Sequence, residues 1–95
     1  MADHRGPALL VLRGPIAPQD IPALCRRARV LLERGGAELV VCDVEALVAP
    51  DAAAVEALAR VRLTVRRLGR GFRIRHPCHE LLELLAFMGL ADILR

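Results

Sequence analysis

Apolar and polar residues follow two kinds of pattern along the chain, one typical of strands and one typical of helices, and together they predict three strands and three helices. Short apolar runs predict buried strands at residues 8–12 and 39–42. Residues 72–75 alternate strictly, which predicts a strand with one buried side and one solvent-facing side. Apolar residues at helical spacing predict helices over residues 21–34 and 52–68 and again over 79–88, and glycine follows each of them.

The alternation of strands and helices determines the predicted fold class. The order β–α–β–α–β–α predicts an α/β domain with a small, mainly parallel sheet and right-handed crossovers. Because the third strand has a polar side, we expect the helices to pack on one face of the sheet only. A chain of 95 residues has room for one domain, which we place at residues 8–95 after a flexible segment at residues 1–7.

The composition excludes several kinds of chemistry. The chain has no Ser, Tyr, Asn or Lys, and Thr64 is its only Thr, so Thr64 carries the only hydroxyl side chain. A serine nucleophile, a phosphoserine switch and a lysine Schiff base are therefore all excluded. Three cysteines at irregular spacing predict reduced, buried thiols in a cytoplasmic protein, not a disulfide framework. The longest apolar run is far shorter than the ~18 residues that a membrane span needs.

The charge is concentrated in one segment. The net charge is +3, yet residues 57–75 contain seven Arg and no acidic residue. A basic block of this kind occurs in nucleic-acid-binding proteins, which usually add aromatic or amide side chains that stack on bases and read their edges. This chain has only two aromatic residues and no Asn. We therefore interpret the arginines as solubilising charges and anchors for a protein partner, with no nucleic acid expected.

Four segments follow one another in a characteristic order. Gly14-Pro15-Ile16-Ala17 follows the first strand, Val41-Cys42-Asp43 ends the second, and Asp51 opens the second helix. The last stretch, from Arg75-His76-Pro77 to Met88-Gly89-Leu90, combines a strand end, a proline break and a leucine-rich helix. In this spacing the segments resemble the STAS domain, the small α/β module of anti-sigma factor antagonists and related bacterial adaptors, over nearly the whole chain.

The resemblance implies a non-enzymatic cytosolic adaptor that binds a partner protein through the helix starting at Asp51. It implies two partner classes: an anti-sigma factor with a kinase-like ATPase fold, or the ATPase subunit of a phospholipid-trafficking transporter. Family members usually carry a phosphorylatable serine directly after this Asp, whereas this chain has Ala52. Ala52 is thus a degenerate phosphoacceptor position, and the resemblance implies an antagonist-like protein without its phosphorylation switch.

The candidate partner-binding residues follow an apolar stripe of the second helix. On a helical wheel this stripe lies outside the arc predicted to face the core, and exposed apolar patches often mark contact surfaces. The predicted set comprises Asp51, Ala52, Val55, Ala59, Arg62, Leu63 and Arg66. Two ordinary explanations compete with this one, because alanines are good helix formers and Asp51 is well placed to cap the helix.

Two alternatives remain open from the sequence, and a third is rejected. The chain could bind a small ligand or catalyse a reaction with Asp43, Asp51 and His76, which would need one polar cleft that joins them. It could form a homodimer through the apolar stripe or through the uncovered face of the sheet. His76, Cys78 and His79 are clustered, but three potential ligands without a fourth do not make a zinc site, so we predict neither metal nor cofactor.

Overall fold

Three parallel strands form the sheet in this protein: β1 (Ala8–Val11), β2 (Leu39–Asp43) and β3 (Gly71–Arg75). Their spatial order is β1-β2-β3, so β2 is the central strand. The computed structural model describes residues 6–94. The predicted flexible segment at residues 1–7 lies outside the described residues except for its last two, which are exposed and belong to neither a helix nor a strand.

Three helices connect and follow the strands: α1 (Ile21–Gly35), α2 (Ala52–Arg67) and α3 (His79–Phe87). Each runs within one residue of the predicted bounds. Short 3₁₀ turns precede α1 at Pro18–Asp20 and follow α3 at Ala91–Leu94. The helix ends also match the sequence signals, since Gly36 adopts the left-handed conformation (φ 65°) that terminates α1.

Within residues 6–94, helices cover one face of the sheet and leave the other face uncovered. Leu10, Val40 and Cys42 point toward the helices and are at most 1% exposed. Their neighbours along the strands point the other way, and Leu9 and Arg73 are exposed there. The predicted fold class, an α/β domain with a small parallel sheet and helices packed against it, is therefore confirmed.

Helix α2 is the middle helix of the layer, with both α1 and α3 packed against it. A helix with neighbours on two sides and a sheet beneath buries a wider arc than the wheel of an isolated amphipathic helix suggests. Its fully buried residues are accordingly Ala54, Val55, Ala57, Leu58, Val61 and Val65. The prediction that Val55 belongs to an exposed stripe is therefore wrong, because its side chain is 0% exposed.

Among residues 6–94, no helix combines the length and the apolar character needed to cross a membrane.

Candidate functional site

The loops that follow the three strands meet at the carboxyl edge of the sheet. The N–H of Gly14, after β1, donates to the carbonyl oxygen of Ala46, after β2 (3.2 Å). The N–H of Val44 donates to the carbonyl oxygen of Arg75, the last residue of β3 (3.0 Å). Loops at the carboxyl ends of parallel strands form the usual ligand- or partner-contacting edge of α/β domains.

Gly14 lets the first two loops touch. A Cβ atom at this position would lie 2.8 Å from the backbone nitrogen of Val48 and 3.1 Å from its carbonyl oxygen, so any side chain there would collide with backbone. The close approach fixes the loop after β1 against the loop after β2. Pro15 and Val48 are consequently held on one surface.

That surface is apolar and exposed. We define the loop surface as Pro15, Val48, Ala49 and Ala52, all of which are exposed. Val48 is the largest aliphatic side chain in it and is 67% exposed. Ala49 has a positive φ of 48°, a conformation that costs a non-glycine residue about 1 kcal/mol or more and that is concentrated at functional sites.

Helix α2 begins within this surface. The Asp51 carboxylate accepts a hydrogen bond from the N–H of Ala54 (Oδ1–N 3.1 Å), so Asp51 is the N-cap, as one of the two sequence interpretations predicts. Ala52, the first helical residue, is exposed. The predicted partner-binding residues Asp51 and Ala52 therefore lie at the surface, beside residues that the sequence did not single out.

The remaining residues of the predicted stripe differ widely in exposure. Leu63 is 45% exposed and lies beside Ile21 and Cys25 at the start of α1, in a shallow cleft of about 240 Å³. Ala59 and Arg62 are half-buried, whereas Arg66 is exposed. Val55 lies in the core and offers nothing to a partner. The stripe is thus interrupted, and its exposed apolar part near the loop surface is reduced to Ala52.

A polar cluster lies next to the loop surface, centred on Asp43 at the end of β2. Its carboxylate oxygen Oδ2 lies 3.2 Å from Nη2 of Arg75 and 3.5 Å from Nδ1 of His76. The other oxygen, Oδ1, accepts a hydrogen bond from the N–H of Glu45 (3.0 Å). The parallel register pairs Asp43 with Arg75 directly, which explains why these residues meet.

The surroundings of Asp43 favour its ionised form. The N–H of Glu45 is the main cause that lowers the pKa of Asp43, and His76 and Arg75 act in the same direction. Partial burial of the carboxylate opposes them by raising the pKa. The net result is a pKa below the ordinary value of an aspartate, so Asp43 is ionised at neutral pH.

Asp43 should therefore stabilise the fold in a pH-dependent way. A group whose pKa is lower in the folded state contributes stability above its unfolded pKa of about 3.9 and loses it as the pH falls through the folded value. We expect the Asp43→Asn variant to be less stable than the wild type at pH 7, and we expect this deficit to be smaller at pH 2. Urea unfolding at both pH values measures this, with Glu38→Gln, at an exposed carboxylate, as the control. A deficit of the Asp43→Asn variant that persists unchanged at pH 2 would contradict the account.

A ligand site made of Asp43, Asp51 and His76 would need all three side chains to face one cleft, and the structure brings only two of them together. Asp43 and His76 are neighbours, whereas the carboxylate of Asp51 is engaged in capping α2. The side chains within reach of one another are Asp43, Glu45 and His76, whose ligand atoms lie within 4.8 Å of each other. These three residues could hold a divalent cation, but Arg75 already neutralises the Asp43 carboxylate. His79 lies elsewhere, with Nε2 3.5 Å from Glu83.

The three cysteines are free thiols. Cys42 is 0% exposed in the core, and burial together with the neighbouring Asp43 raises its pKa to about 12. Such a thiol stays protonated and is a poor nucleophile. Cys25 and Cys78 are half-buried. The prediction of reduced, buried thiols is therefore confirmed for Cys42, whereas the predicted burial is wrong for Cys25 and Cys78.

Comparison of the chain with protein-family models and with curated proteins finds no match.

Proposed function

We propose that this protein is a non-enzymatic adaptor that docks a partner protein through the loop surface at the start of α2. The observation that carries the proposal is the exposure of Val48 and its apolar neighbours on loops that the sheet holds in place. Apolar side chains at such a position contribute to binding through burial and offer no acid, base or nucleophile. The chemistry of the surface therefore favours recognition.

The loop surface is held rigidly, which lowers the entropy lost on binding. Hydrogen bonds link the loop after β1 to the loop after β2, and the cap at Asp51 orders the first turn of α2. Preorganised apolar groups keep more of the burial energy as affinity than groups on mobile loops do.

A cleft next to the loop surface is large enough to accommodate a side chain of the partner. It has a volume of about 450 Å³ and lies between the end of β1 and the start of α1. Pro15 belongs to both the cleft and the loop surface, and Ile16 and Leu24 supply apolar wall. Arg13 and Asp20 contribute polar groups to the same cleft. An apolar anchor residue of the partner, surrounded by polar contacts, fits this arrangement.

Docking at this surface is not controlled by phosphorylation at the start of α2. Ala52 occupies the position where the STAS resemblance implies a phosphorylatable serine, and alanine has no hydroxyl group. The chain's one hydroxyl side chain, Thr64, lies 12 residues further along α2, about 18 Å away, and donates to the carbonyl oxygen of Arg60. Without this serine, docking would be regulated through abundance or competition. The partner proposed from the resemblance is an anti-sigma factor or a transporter ATPase subunit.

Photo-crosslinking in the native cell tests the proposal. A benzophenone amino acid replaces Val48 in one variant and Phe87, at the end of α3, in the other. Both side chains are strongly exposed, at 67% and 80%, so both probes reach solvent. We expect a specific protein adduct from position 48 and none from position 87. An adduct from position 87 alone would place the interface at the end of α3 and overturn the proposal.

A further inference from the structure

The outer edge of β1 has no partner strand within the part of the chain that the structure describes. Among residues 6–94, β1 pairs only with β2, and no further strand follows it in the sheet. The N–H of Leu12 donates to the carbonyl oxygen of Asp43, which shows that Leu10 and Leu12 direct their peptide groups toward β2. Because alternate residues of a strand direct their peptide groups to opposite sides, Leu9 and Val11 direct theirs outward. At the opposite side of the sheet, the 3₁₀ turn at Ala91–Leu94 packs against β3.

A groove runs beside this edge. It has a volume of about 450 Å³ and is lined by Leu9, Arg26, Arg27, Val30 and Leu31. Leu9 and Val30 are 48% and 47% exposed, so the groove combines apolar walls with two exposed guanidinium groups. Backbone donors and acceptors, apolar side chains and positive charge are thus presented side by side. An extended peptide that adds a strand to a sheet pairs with such backbone groups and places alternate side chains in such pockets.

The positive charge of α1 indicates which kind of segment would bind beside β1. The helix carries four Arg and one Glu, and two of the arginines line the groove. In an antiparallel pairing of two β1 edges, a two-fold axis perpendicular to the sheet would bring the α1 helices of both copies together. Their arginines would then repel, which is how many proteins prevent edge-to-edge association of identical chains. A second copy is disfavoured, and an acidic segment is favoured.

We infer that the β1 edge binds an extended acidic peptide segment of a partner protein, which adds a fourth strand to the sheet beside Leu9 and places carboxylates against Arg26 and Arg27. The β1 edge lies next to the cleft beside the loop surface, since Arg27 lines both that cleft and the groove, but it shares no residue with the loop surface itself. It therefore provides a second contact for the same partner or a first contact for another one. An anionic lipid surface would satisfy the arginines but not the outward peptide groups of Leu9 and Val11.

Binding of two synthetic peptides to the full chain tests the inference. One is a capped heptapeptide of alternating Val and Glu, and the other has Lys at every Glu position. We expect the acidic peptide to bind at least ten times more tightly at low salt, to shift the amide signals of Leu9 and Val11, and to slow their exchange with solvent. Equal binding of the two peptides, or signal changes confined to other parts of the chain, would overturn the inference.

Three variants separate strand addition from simple charge attraction. Leu9→Pro removes an outward N–H without removing a hydrogen bond to β2, and proline is tolerated on strand edges. Arg26→Glu reverses a charge in the groove, and Arg29→Glu makes the same change on α1 outside the groove. We expect the first two variants to lose at least nine-tenths of the affinity and Arg29→Glu to lose less than half. Unchanged peptide binding by Leu9→Pro would overturn the inference. Tighter binding of the wild type to anionic vesicles than to the acidic peptide would also overturn it, because the occupant would then be a lipid surface. So would a wild-type dimer that the Leu9→Pro substitution dissociates, because the occupant would then be a second copy of the chain.

Discussion

The Val55→Asp variant should fail to fold, or should lose more than about 4 kcal/mol of its free energy of unfolding. The side chain of Val55 is 0% exposed and packs among apolar residues of the core. An aspartate there must either bury an unpaired carboxylate or be protonated, and both cost several kcal/mol. Because small domains are stable by only about 5–15 kcal/mol, this single change removes a large part of the free energy of unfolding. Circular dichroism in a urea titration measures the loss.

Leu63→Asp is the matched comparison on the same helix. Leu63 was predicted to share the stripe with Val55, but its side chain is 45% exposed. We expect this variant to keep its helical signal and to lose less than about 1 kcal/mol, most of it from the lower helix propensity of aspartate. A Val55→Asp protein as stable as the Leu63→Asp protein would show that α2 is not packed as described.

Ala52→Glu should have opposite effects on folding and on partner binding. A carboxylate in the first turn interacts favourably with the helix dipole, so the variant should be as stable as the wild type or more stable by about 0.3–1 kcal/mol. The same side chain places a charge and two additional carbon atoms, Cγ and Cδ, in the middle of the loop surface. We expect affinity for the partner crosslinked at position 48 to fall at least tenfold, which corresponds to about 1.4 kcal/mol.

Two further variants make this result specific. Val48→Asp alters a neighbouring residue of the loop surface and should weaken binding to a similar degree. Phe87→Asp alters an apolar side chain that is more exposed than Val48 but lies at the end of α3. It should bind the partner as the wild type does. Isothermal titration with the purified partner compares all three, and a loss of affinity from Phe87→Asp alone would move the interface to α3.

The helices and strands could be predicted from the sequence because the patterns that indicate them lie within short stretches of the chain. Strict alternation in β3, the cap at Asp51 and the glycine that ends α1 each act within a few residues, and each places an element boundary to within one residue. The wrong prediction, that Val55 is exposed, concerns a property that depends on neighbours. A helical wheel assumes one buried direction, whereas α2 is covered by α1, by α3 and by the sheet.

The candidate site was only partly predictable for the same reason. Asp51 and Ala52 were found because a helix start has a recognisable sequence. Val48 was not, because an aliphatic residue in a loop gives no sign of whether it packs inward, as Leu47 does, or outward. The contact of Asp43 with Arg75 joins residues 32 positions apart, and it follows only once the parallel register is known.

Amide hydrogen exchange of this chain, alone and in complex with the crosslinked partner, tests the docking surface most directly. Each backbone N–H reports its own protection, so the footprint does not depend on any substitution. The account predicts slower exchange on binding at Gly14, Val48 and Ala49 and in the first turn of α2, where Ala52 lies. Slower exchange confined to the end of α3, with no change around Val48, would contradict the account.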